Sequence, residues 1–136
     1  MERITHYHND IDNINRFHVE VETWIKKLME IEFVGKNILI SQVESAKYEV
    51  KHGEGFISIK YYVDNEKEKF PYQVRIPVEM EAFQSGENPI MFLLHVLDGV
   101  VDELEVYSVD GSPIGMEISV QIVKHKVADM LKAEEC

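Results

Sequence analysis

Cysteine is almost missing from this chain. Its single thiol is Cys136, at the end of 136 residues. One thiol permits no internal disulfide, which points to a reducing compartment, the cytoplasm. Long apolar runs are missing as well. Nothing approaches the roughly 20 residues that a membrane-spanning helix needs, and the opening stretch MERITHYHND lacks the apolar core of a secretion signal. Positive charge is missing from the middle of the chain: no lysine or arginine occurs between Arg75 and Lys124. That same interval holds Glu79, Glu81, Glu87, Asp98, Asp102, Glu103, Glu105, Asp110 and Glu117, and the formal net charge of the chain is −11. Such a field repels nucleic-acid phosphate and anionic lipid and attracts a basic partner. Taken alone, the same charge is first a device for solubility.

Motifs of catalysis are missing too. There is no G-x-S-x-G elbow for a serine nucleophile, no glycine-rich phosphate loop and no calcium loop. The sequence therefore assigns no catalytic residue, no cofactor and no metal.

What is there is a soluble globular composition, 45% hydrophobic and 29% charged, too apolar for a disordered chain. The length suits one domain, residues 1–136. The organising stretch is MFLLHVLDGVVDELEVYSVDGSPI, Met91 to Ile114. It predicts two antiparallel strands joined at Asp98-Gly99, because a tight hairpin turn needs residues that tolerate positive φ. Its first strand is apolar except for His95 and reads as covered on both faces. In its second, Leu104 and Val106 share one face, while Glu103, Glu105 and Tyr107 share the other, with Asp102 opposite them.

Ahead of this hairpin, Ile11, Ile14, Phe17, Val21, Trp24, Leu28 and Ile31 recur at helical spacing. They predict an amphipathic helix over about 10–33, capped by Asn9 or Asp10 and stopped at Gly35. A short apolar strand is expected at Asn37–Ile40, and a hairpin over 46–63. Alternation then predicts a strand from Tyr72 to Glu81. Pro77 has no N–H to give a ladder, which places that strand at an edge or at a bulge. A further strand is expected over 114–121. Val123, Val127, Met130 and Leu131 predict a short closing helix with Lys124, Lys126 and Lys132 toward its negative end. The fold class is α+β: an N-terminal amphipathic helix, a mostly antiparallel meander of five to six strands and a short C-terminal helix.

Two histidine features are candidates for chemistry. On a strand, His6 and His8 share a face and Asp10 adds a carboxylate, but a catalytic zinc needs at least three converging protein ligands. His95, within its apolar strand, reads as a core histidine bonded to backbone. As a general base it would want Asp98, Asp102 or Glu103 beside it. His18 and His125 fall on the expected helices and His52 in a turn, without companions. Glu103 and Glu105 share a face but lack the sugar cleft of a glycosidase pair. Among the aromatic residues, Trp24 lies on the apolar helix stripe, whereas Tyr62 and Tyr107 fall on polar strand faces and suit partner contact.

The residues LLHVLDGVVDELEVYSVDGSPI, 93–114, resemble the C-terminal part of small bacterial proteins with an L-H-V-x-D-G-x-x-x-E-L-E-x-Y-x-x-D-G pattern, some of which look like immunity proteins encoded beside toxins. The resemblance implies a non-enzymatic binder that neutralises a cognate toxin in the cytoplasm, and it brings no catalytic residue with it. With the charge distribution, it yields the expectation of an immunity-type protein, monomer or homodimer, that meets a basic protein toxin through Glu79, Glu81, Glu103, Glu105 and Tyr107. The competing expectations are a small metal- or ligand-binding enzyme using His95 or the His6/His8 pair, and a ligand-free homodimer using the Pro77 strand as an edge.

Overall fold

A computed structural model describes residues 3–7, 11–83, 89–114 and 119–132, with side chains described at 20–51, 53–83, 89–114 and 123–132. It is an α+β structure, one antiparallel sheet carrying helices on a single face. In chain order the elements are β1 (Arg3–Tyr7), α1 (Ile11–Leu28), α2 (Lys36–Glu44), β2 (Lys47–Gly53), β3 (Phe56–Tyr62), β4 (Val78–Phe83), β5 (Pro89–Leu97), β6 (Val100–Ser108) and β7 (Ser119–Val127), then a 3-10 turn at Asp129–Leu131. The strand order is β1-β2-β3-β6-β5-β4-β7, so β1 and β7 are the edges.

The hairpin β5–β6 lies at the centre, as its sequence predicts. Asp98 has φ 52° and Gly99 φ 79°, so both central residues of the turn take the left-handed conformation that matches strand twist. Burial alternates along β5, with Ile90, Phe92, Leu94 and Val96 inward; Met91, Leu93 and His95 face out and are half-buried. The strand is thus covered on one face, not both. On β6, Val101, Leu104 and Val106 continue the inward face. Against it pack Trp24 and Leu28 of α1 and Leu39 of α2, all fully buried, and the Trp24 ring meets Phe92 edge-on at 5.4 Å.

Three expectations are corrected. Asn37–Ile40 belongs to helix α2, not to a strand. Three apolar residues in a row cannot distinguish the two; Gly35, at φ 84°, starts the helix, and Leu39 and Gln42, three apart, turn inward together. Residues 123–127 form strand β7 rather than a helix, so His125 lies on a strand, where its Nε2 sits 2.7 Å from the Lys27 carbonyl oxygen. Finally, regular pairing on the Pro77 strand begins only at Val78, and β4 is internal, flanked by β5 and β7. The segment before it folds against the end of β5, where Val96 N–H donates to the Arg75 carbonyl at 2.8 Å. The side chains of His6 and His8, the cap at Asn9 or Asp10, and Glu87 and Glu117 lie outside the described residues.

The turn after β6 closes on Asp110. Its carboxylate accepts from Ser108 Oγ at 2.7 Å and from Ser112 N–H at 3.0 Å. The Ser108 bond foremost, and then Ser112, hold its pKa down at about 2. A carboxylate with a lowered folded pKa adds stability that is present above its unfolded value of about 3.9 and is lost as pH falls through the folded value. Asp110→Ala should therefore lower Tm at pH 7, and the difference from wild type should shrink between about pH 4 and 2. Thermal melts across that range check it; a difference that stays constant would show that the carboxylate's charge plays no part.

Candidate functional site

With both helices on one face, the other face of the sheet carries no covering layer among the described residues. The register fixes what it presents. One row runs Phe56–Tyr107–Met91–Glu81–Lys124 across β3, β6, β5, β4 and β7. The next runs Ser58–Glu105–Leu93–Glu79–Lys126, and a third runs Lys60–Glu103–His95. All five residues expected to contact a partner (Glu79, Glu81, Glu103, Glu105 and Tyr107) thus fall on one surface, each half-buried by its neighbours.

A bulge changes one detail. Between His95 and Val96 the register of β5 against β6 slips, so Asp102 becomes the extra residue on β6. Asp102 and Glu103 are both half-buried while Val101 and Leu104 are buried on either side, which puts Asp102 on the outer face with Glu103, not opposite it.

This arrangement gives nearly every carboxylate a counterpart. Asp102 is ion-paired with Lys60, and Glu103 Oε2 accepts from Ser58 Oγ at 2.6 Å. Glu105 Oε1 lies 2.8 Å from His95 Nε2. Glu79 and Glu81 stand directly across from Lys126 and Lys124. The gap in positive charge along the sequence is therefore filled in space, because β7 and β3 bring lysines to strands that have none.

His95 has its partners in the same network. Arg75 Nε donates to His95 Nδ1 at 3.1 Å, which makes Nδ1 the acceptor and leaves Nε2–H to donate to Glu105. The residue is neither a core histidine bonded to backbone nor paired with Asp98, Asp102 or Glu103. With both ring nitrogens engaged, it links Glu105 and Arg75 on the surface. The sequence reading missed Arg75 and Lys60; the one available signal was that Arg75 is the last cation before the acidic interval.

Tyr62 is exposed on β3 and donates its hydroxyl to Glu49 at 2.7 Å. Among the described residues no three His, Cys, Asp or Glu side chains converge as a metal would need, and no helix is long and apolar enough to cross a membrane. Set beside protein-family models, curated proteins and solved structures, the chain matches none.

Proposed function

We propose that this protein is a non-enzymatic binder of another protein, an immunity-type inhibitor that neutralises a cognate basic toxin domain in the cytoplasm through the open face of its sheet. The observation that carries the reading is the composition of that face. Phe56, Tyr107, Met91 and Leu93 form an apolar centre across three strands, and Glu79, Glu81, Glu103 and Glu105 stand beside it. Aromatic and methionine side chains at the centre with charges around them are what protein interfaces enrich. The toxin as partner rests on the resemblance of residues 93–114.

The internal pairing of these carboxylates refines the electrostatic role. A basic partner has to compete with Ser58 and His95 for the oxygens of Glu103 and Glu105, and it meets Lys126 and Lys124 across from Glu79 and Glu81, so charge contributes more to the speed and register of docking than to its strength. The test is co-expression with the product of the neighbouring reading frame, followed by association kinetics on the purified pair. Replacing Glu79, Glu81, Glu103 and Glu105 together by glutamine should slow association by about tenfold at low salt and flatten its salt dependence. Unchanged association kinetics at low salt would sink the acidic-face reading, and a toxic neighbour that this chain fails to silence would sink the immunity reading.

A further inference from the structure

On the opposite side of the sheet, α1 and α2 do not close fully over β2 and β3. They leave a groove of about 510 Å³, within the roughly 300–1,000 Å³ range of small-molecule sites. Ile25 of α1 and Met29 just past its end form one wall, Ile40 and Val43 of α2 the other. The floor is aromatic: Tyr48 and Tyr61, directly paired across β2 and β3, have ring centroids 6.0 Å apart and planes inclined at 54°. Both rings line the groove, and the face of an aromatic ring is the negative side of its quadrupole.

The charge around this space has a sign. Among the described residues, Glu22, Glu30 and Glu44 line the groove, with Lys26 as the one cation there. Lys27 outside it ion-pairs with Glu30 at 3.0 Å. Glu22 lies close enough to both tyrosines to act on them. Burial first, then the Glu22 carboxylate, pushes the Tyr48 hydroxyl up to about 12, and burial, then Tyr48 and then Glu22, raise Tyr61. Both phenols therefore stay neutral at physiological pH.

From these features we infer that the groove binds a small organic cation, an alkyl- or aryl-ammonium whose apolar body lies between the helices and whose charged head meets the Tyr48–Tyr61 floor beside Glu22. The two parts of the site select together. Apolar walls admit a hydrocarbon body of either charge, but the carboxylates and the π faces turn away a fatty carboxylate or a phosphate and hold an ammonium. An uncharged alcohol of equal length would gain the walls and lose the floor. This site is independent of the partner-binding face, since the whole thickness of the sheet separates them.

The experiment is a titration of the intact chain with octyltrimethylammonium, octanol and octanoate, each below its micelle concentration, read by calorimetry and by the amide NMR shifts of groove residues. The expected result is one-to-one binding of the ammonium with shifts at Ile25, Val43 and Tyr48, about tenfold weaker for octanol and weaker still for octanoate. Glu22→Gln, at an exposed helix position that folding tolerates, should weaken the ammonium by about threefold to tenfold and leave octanol unchanged. Tyr48→Phe keeps the π face and should bind normally, which separates the ring's role from that of its hydroxyl. Equal affinity for all three probes, shifts confined to other surfaces, or no binding would overturn the proposal.

Discussion

Replacing Gln42 by leucine should destabilise the protein by about 3–5 kcal/mol, far more than a polar-to-apolar change at a surface helix position. Gln42 is 1% exposed and fixes α2 to the central hairpin. Its Nε2 donates to the carbonyls of Glu68 and Gly99, each at 2.9 Å, and its Oε1 accepts the Val101 N–H at 2.8 Å. Two carbonyls and one N–H around a single amide determine which end is oxygen and which is nitrogen. Leucine has similar size and fills the space, so little of the loss comes from a cavity. The loss comes from backbone groups left without partners where water is excluded. Urea unfolding measures it, and a cost below about 1 kcal/mol would mean that the backbone groups find other partners.

Gln42→Glu tests the same geometry through pH. A buried carboxylate facing two carbonyl oxygens is favoured in its protonated form, so its folded pKa lies above the unfolded value of about 4.3. The folded state then binds more protons than the unfolded state. Stability is full below about pH 4.3 and falls as pH rises through the folded pKa. The variant should lose stability from pH 4.5 to 8 relative to wild type. A parallel pH profile would place the side chain elsewhere.

Gln42 also shows where the sequence stops being legible. The hairpin β5–β6 could be read from residues 91–108 because every determinant is local: alternation on each strand and Asp98-Gly99 between them. The candidate face was legible for the same reason, since residues two apart on one strand share a side wherever the strand lies. What lies next to that strand is not local. Val123 and Val127 are four apart, a spacing that suits one helix face and, being even, one strand face equally well, so the closing strand read as a helix. Once β7 pairs with β4, Lys124 and Lys126 stand against Glu81 and Glu79. That juxtaposition is invisible in a sequence where those residues lie over 40 positions apart. The bulge at Asp102 breaks alternation by one residue, and no side chain there announces it. Gln42 fell beyond a short apolar run that could not be told from a strand, and its three partners come from two other parts of the chain.

The other large effect is expected at Gly99, where alanine should cost about 2–4 kcal/mol. The residue has φ 79°, a conformation that costs an L side chain about 1–2 kcal/mol by itself. A Cβ would also lie 2.8 Å from the Phe70 carbonyl oxygen, which is backbone and cannot swing aside. That approach is close because the Gly99 carbonyl accepts two bonds at once, from Phe70 N–H and from Gln42 Nε2, each at 2.9 Å. Relieving the clash must lengthen the Phe70 bond, and it pulls the turn away from Gln42 as well. The two substitutions therefore act on one network, and their effects should not add. In a double-mutant cycle, Gly99→Ala placed in Gln42→Leu should cost at least 0.5 kcal/mol less than in wild type, on the order of coupling seen between residues that share partners. Strict additivity would mean that α2 and the hairpin turn are held independently, and the amide of Gln42 would then be a local satisfier of backbone rather than the link between the helix layer and the sheet. A full coupling would make that one side chain the fastener between them, which also predicts where the helices part first: opening of α2 should expose the Val101 amide, whose N–H is held by Gln42, to hydrogen exchange before the amides of Leu94 and Leu104 at the sheet centre.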